Sequence, residues 1–411
     1  MNVTTVSVRA NYQHLIWDIG WFGIALAATS RFMQFYAIRM GADAFELNLL
    51  TALPAIVLVF STAMSAWWRS YFTNSVKAVQ IPSFVFRLVF LLPAFAPFFP
   101  LEWRVLWLIL SAAIPAMMQG MSNAIFVVMM RETISDDRIA SLLARRQFVL
   151  NVMVLLGVLG FGVLLESLLF PLNYQVMFVI AFGFALLSQW HLTRLKPIVP
   201  AHKPKRREKG SLKRLLKTDE FQSVAYITLL TFVGYFSVFA LIPLFLERNL
   251  GADEGYIALF GMIELIAGAS IMLILEPIIR GLGSRRTIAL SMFVTALASL
   301  AIAIAPSLEL ALIGAALTGI GWNAASVAIL RYFTERTSAD DMAASTAYHE
   351  IMFISMFIGP MLGNLVAATG LSLAGILLFG AMLRLLSAIL TEYGLRIFGK
   401  PLVRPLVRVQ D

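Results

Sequence analysis

Apolar residues run along this chain in blocks long enough to cross a bilayer as a helix, which takes about 20 residues. Polar residues fall mainly in the gaps between the blocks. Twelve transmembrane helices are predicted, at residues 14–39, 45–68, 78–99, 103–130, 146–169 and 173–195, then 221–247, 254–279, 286–306, 309–333, 343–369 and 371–397. The longest gap, 196–220, carries a dense run of Lys and Arg between Lys203 and Lys217. A bilayer core offers no water to pair with loop backbone, so this stretch lies outside it. It divides the chain into an N-terminal bundle at 1–195, a basic linker at 196–220 and a C-terminal bundle with a short tail at 221–411. The expected fold is an all-α integral membrane protein of 12 transmembrane helices in two six-helix bundles.

The two halves share sequence. Met40-Gly41-Ala42-Asp43 follows the first span and Leu250-Gly251-Ala252-Asp253 follows the seventh. After the fourth and tenth spans, Thr133, Asp136, Asp137, Ala140 and Ser141 match Thr337, Asp340, Asp341, Ala344 and Ser345 at a constant shift. Each half has an even number of spans, so the repeats run parallel, related by an axis along the membrane normal.

Charge then supplies an orientation. Of the 32 Lys and Arg, 26 fall on the side of the basic linker, and such an excess marks the cytoplasmic face. Both termini are expected there, in a bacterial inner membrane. The start of the chain lacks a short apolar run with a small-residue cleavage site, so no removable signal peptide is expected. At 60% hydrophobic and 13% charged residues, with mean hydropathy +0.83, the chain is far less polar than a soluble domain. The net charge of +9 sits in loops without interleaved aromatic residues, which argues against nucleic acid as a partner.

Loop and helix motifs add a resemblance. Ile279-Arg280-Gly281-Leu282-Gly283-Ser284-Arg285-Arg286 lies between the eighth and ninth spans, Gly359-Pro360-Met361-Leu362-Gly363 lies in the eleventh, and Gln119-Gly120 in the fourth. With the 6+6 layout, these runs resemble the major facilitator superfamily (MFS) of transporters over the whole chain. Four features depart from its pattern: Ile279 stands where the family has an acidic residue, and Trp68-Arg69-Ser70-Tyr71 keeps little of the first loop motif. Pro115 replaces a frequent arginine, and the Gly157-to-Gly162 run lacks the proline of the antiport motif. The resemblance implies a midplane solute site between the bundles, open alternately to each membrane face. Arg280, Gly283, Arg285 and Arg286 then read either as topology anchors or as a cytoplasmic gate closing on Asp340, Asp341 or Glu335. The Gly-rich runs at 157–160 and 359–363 read first as packing positions, since small residues let membrane helices approach.

Ionisable groups inside apolar spans point to function, because a lone charge at the bilayer centre costs at least about 2.5–3.5 kcal/mol. Asp18 and Arg31 lie in the first span, Glu264 in the eighth, and His349 with Glu350 in the eleventh. For Asp18 a helix-capping role stands beside a functional one. The resemblance places the first and eighth spans around the cavity, which favours function for Arg31 and Glu264. Arg87 and Arg384 belong to spans that are peripheral in the family and read as structural. Asn123 and Asn323 offer amides to a solute or to another helix, and Trp17, Trp21, Phe35 and Trp322 could wall an apolar pocket.

No P-loop or zinc-binding His-Glu-x-x-His occurs, the four histidines are scattered, and there is no cysteine. No cofactor, metal or enzymatic activity is expected. The sequence reading is a secondary transporter of a small, amphipathic solute, with proton coupling through Glu264, Glu350 or Asp18. Membrane lipids are the expected surroundings. A second reading is an MFS-fold accessory factor that binds a membrane complex, such as a pigment–protein assembly, and transports nothing.

Overall fold

The computed structural model describes residues 3–198, 218–337 and 342–394, with 396, 397, 400 and 401 beyond them. Fourteen helices account for nearly all of the described residues. In the first half they are α1 (Val3–Ala27), α2 (Met33–Arg39), α3 (Ala44–Arg69), α4 (Ser75–Phe86), α5 (Leu101–Thr133), α6 (Asp136–Ser167) and α7 (Leu172–Thr193). The second half holds α8 (Asp219–Phe239), α9 (Ile242–Leu250), α10 (Glu254–Leu282), α11 (Ser284–Ala303), α12 (Leu308–Thr334), α13 (Met342–Ala367) and α14 (Leu373–Tyr393). A two-residue antiparallel pairing, Arg396 with Pro401 and Ile397 with Lys400, follows in the tail.

Among the described residues, eleven helices are long and apolar enough to cross a membrane. The twelfth expected span is the first. It runs through α1, a π turn at Ala28–Phe32 and α2, and Asp18, Arg31 and the polar stretch from Asn11 to His14 make it less apolar than the others. Two other expected spans are interrupted where proline dictates. Pro93 and Pro97 help turn the end of the third span into 3-10 helix over Arg87–Phe90 and Leu92–Phe98. Pro243 has no N–H to give the carbonyl four residues back, which is that of Phe239, the last residue of α8.

The repeated Gly-Ala-Asp turn has a physical cause. Gly41 (φ 98°) and Gly251 (φ 74°) both adopt the left-handed conformation that spares a residue without Cβ. The aspartate two residues on then caps the next helix. Asp43 accepts from the Glu46 N–H at 2.8 Å while Glu46 reaches back to the Asp43 N–H at 3.0 Å, a capping box. Asp253 accepts from the Tyr256 N–H at 2.8 Å.

Two compact units emerge. The first gathers Met1–Arg206 with Pro243–Met262, and the second gathers Arg207–Ile242 with Ile263–Asp411. The boundary thus departs from a plain cut at the linker, because α9 and the first turns of α10 belong to the first unit. Near its linker-side end that unit packs around Leu15, Val79, Met129, Leu142 and Leu192, and the second unit packs around Phe221, Ile227, Ile288, Met292 and Tyr332. Leu169, Val163, Met382 and Leu273 stand 68–86% exposed, on surfaces that lipid covers in a membrane protein. Gly157 meets α1 at Ile24 and Ala27, and Gly359 meets α8 at Val233 and Phe236, whereas Gly160 faces open space.

Candidate functional site

Buried charge in the first unit centres on Asp18, which is 3% exposed. Its carboxylate accepts from Ser188 Oγ at 2.7 Å, Arg87 Nη2 at 3.2 Å and Arg146 Nη1 at 3.2 Å. Arg87 also donates to the carbonyls of Ala185 (3.0 Å) and Ser83 (2.9 Å), and Arg146 to that of Leu15. Phe22 and Phe126 lie under the two guanidinium groups at 5.6 and 4.7 Å. The capping role for Asp18 does not stand: α1 begins at Val3, so Asp18 lies deep within the helix and far from its end. Its carboxylate instead joins α1 to α6, α7 and the 3-10 turn that follows α4.

Arg31 sits on the π turn, a widened turn that is common at functional sites. Its side chain lies against Gly261, where an added Cβ would come within 3.1 Å of Arg31 Cδ. One turn of contacts further out, Glu254 is 8% exposed and pairs with Arg39 at 3.2 Å. Tyr174 Oη donates to Glu254 at 3.5 Å, and its ring stacks on Tyr36 with centroids 4.3 Å apart. Arg248 adds a hydrogen bond to the Ala42 carbonyl at 3.3 Å. This cluster holds the start of α10 in the first unit. Sequence reasoning missed Glu254, although it directly follows the repeated Gly251-Ala252-Asp253 turn.

In the second unit Glu264 is 8% exposed at the crossing of α10 and α12. Gly319 lies so close there that a Cβ would sit 2.0 Å from the Glu264 carbonyl oxygen. Asn323 donates to the Gly319 carbonyl at 2.9 Å and its amide covers Gly268, so this amide serves a helix crossing. Asn123, in contrast, is exposed on α5. Trp322 stacks on Tyr235 at 3.8 Å and meets Phe232 and Phe236 edge-on. Of the other three aromatics considered, Phe35 is fully buried, Trp17 is 53% exposed and Trp21 stacks on Phe184. Arg384, completely buried, donates to the carbonyls of Gly234 (3.2 Å), Thr295 (3.0 Å) and Tyr235 (2.8 Å). His349 and Glu350 part company: the histidine is exposed and holds the Ser345 carbonyl at 2.8 Å, while the glutamate is 7% exposed.

On the linker side, Arg285 donates to the carbonyls of Thr391 and Glu392 at 2.6 Å each, and Arg286 pairs with the Glu392 carboxylate at 3.1 Å. Both therefore hold the end of α14. Arg280 pairs with Glu276 one turn earlier on α10, and Gly283 (φ 81°) makes the turn into α11. Glu335 bonds Ser284 at 2.7 Å and Arg331 at 3.1 Å. Asp340 and Asp341 lie outside the described residues, as does the linker from 199 to 217. A related knot in the first unit went unread in the sequence: Glu132 accepts from Ser75 N and Oγ (2.7 Å each) and from Arg69 Nη2 (3.1 Å). Among the described residues no three His, Asp or Glu gather as a metal site.

The sequence profile described as the Major Facilitator Superfamily matches residues 20–360. The chain belongs to the major facilitator superfamily. As an MFS member it is a multi-pass membrane protein of the secondary-transporter class. Solved structures agree on the fold. An auto-inhibited POT-family peptide transporter is similar with TM-score 0.73 at 12% identity, covering 96% of this chain and 98% of its own. The nucleoside transporter NupG gives 0.72 at 11% identity, with 93% and 99% covered. A bacterial homologue of the human drug peptide transporters gives 0.68 at 14% identity, with 94% and 98% covered. A search of curated proteins returned no significant match.

Proposed function

We propose that this MFS protein carries a small amphipathic solute by alternating access, driven by a proton gradient through Glu264. The observation that carries the coupling role is a carboxylate only 8% exposed, well inside the apolar helix α10. Asp18 bridges two guanidinium groups and a hydroxyl; Glu264 takes the acid role for its depth in an apolar helix, with Glu350, 7% exposed in α13, second. Within the second unit, the aromatic group around Trp322 suits the apolar body of such a solute. The bias of 26 of 32 basic residues supports a cytoplasmic linker side and an inner-membrane location. The accessory-factor reading has no counterpart among the structures named above.

Flux in vesicles containing only this protein tests the coupling. A pH gradient is expected to drive solute accumulation, and Glu264→Gln is expected to abolish accumulation while leaving equilibrium exchange intact. Equal uptake with and without the gradient, or unchanged accumulation in Glu264→Gln, would remove the proposal.

A further inference from the structure

A groove of about 570 Å³ opens on the first unit between the start of α4 and the end of α7. Asn74, Lys77, Gln80, Gln189 and Thr193 supply its polar groups, and Ile81 and Phe84 its apolar wall. Ile81 and Phe84 are 51% and 43% exposed, so nothing among the described residues covers that wall. Both lie within a span, where the surrounding medium is lipid. From Lys77 to Phe84 the helix rises about 10 Å, which takes the groove from headgroup level into the acyl region. Its polar floor is already satisfied: Gln80 donates to the Val76 and Leu192 carbonyls at 3.1 Å, and Gln189 donates to the Gln80 side chain at 3.1 Å. The rim is not neutral. Lys77 lies in the lining, and Lys196 stands exposed between Leu195 and Pro197, which also line it. Among the described residues no carboxylate lines the groove.

We propose that this groove is a binding site for an anionic phospholipid of the linker-side leaflet. The phosphate sits between the ammonium groups of Lys77 and Lys196, with the Asn74 amide in reach. The acyl chain follows Ile81 and Phe84 toward the bilayer centre. The shape is right for a lipid because charge and amide lie at one end and aromatic and aliphatic surface at the other. This site is independent of the solute path and of the proton-coupling reading.

Native mass spectrometry of the full chain with phosphatidylglycerol or phosphatidylcholine of matched acyl chains tests it. Phosphatidylglycerol is expected to be retained preferentially. Each of Lys77→Gln and Lys196→Gln is expected to weaken its retention about fivefold, the effect of one basic residue near an anionic surface. Thr193→Trp, which fills the groove without changing its charge, is expected to weaken both lipids. Equal retention of the two lipids by the unmodified chain, or unchanged phosphatidylglycerol retention in the double lysine variant, would overturn the proposal. A photo-crosslinker placed at Phe84 separates the occupants. A phosphatidylglycerol adduct supports the site, and capture of the chain's own linker or of a second protein overturns it.

Discussion

Asp18 serves two guanidinium groups, each buried in a helix bundle where no water can take over. Removing one partner from a buried ion pair leaves the other charge uncompensated, at about 3–5 kcal/mol. Asp18→Ala is therefore expected to destabilise the protein by that amount, read as a fall in its thermal unfolding temperature in detergent. Its effect on the gradient dependence of flux should be small beside that of Glu264→Gln. At this scale the sequence showed which residues were costly to bury but not who would meet them. Asp18, Arg87 and Arg146 are 59 or more positions apart in successive pairs, and only the packing of α1, α6 and the 3-10 turn after α4 joins them. Glu132 was harder still. It stands at the end of an apolar span, where a charge costs little and draws no notice, yet it is 8% exposed and fully engaged.

Helices were the most readable level, because a bilayer leaves the chain few alternatives. Their ends and breaks followed local rules as well: glycine with aspartate at residues 41–43 and 251–253, proline at 243. What could not be read was which faces would touch. Gly319 is one of 26 glycines in the sequence, and nothing local distinguishes it. In the structure it lies against the Glu264 carbonyl with no room for a methyl group. Gly319→Ala is expected to force α10 and α12 apart at an overpacking cost of about 1–3 kcal/mol. Reduced thermal stability and impaired gradient-driven uptake together would bear that out, and unchanged stability would refute it. Gly160, with open space around it, is the control position expected to accept alanine quietly.

For the molecule as a whole, the informative departure is the segment Pro243–Met262, which belongs to the first unit although the second half encodes it. Arg39, Glu254 and Tyr174 hold it there. Arg39 is 42% exposed, so its pair with Glu254 is screened and contributes about 1 kcal/mol at most. Glu254→Gln is expected to loosen the segment about fivefold, the equivalent of that energy. Since the chain has no native cysteine, Ala42→Cys beneath Arg248 gives a clean reporter. Its labelling by a thiol reagent should accelerate about fivefold in the Glu254→Gln background, and an unchanged rate would show that the pair holds nothing.

Arg87 and Arg384 solve one problem at different stages of synthesis. Arg87, on the third span, ties the first and sixth together, reaching Asp18 on one and Ala185 and Ser188 on the other. Arg384, on the twelfth, ties the seventh to the ninth through Gly234, Tyr235 and Thr295. As the chain leaves the ribosome, the earlier bolt waits in the membrane for the last of its sockets. The later one arrives to find every socket already made. Until then three carbonyls stand without their cation, so the N-terminal bundle can lock before the C-terminal bundle is made, and the C-terminal bundle only once the twelfth span is in place.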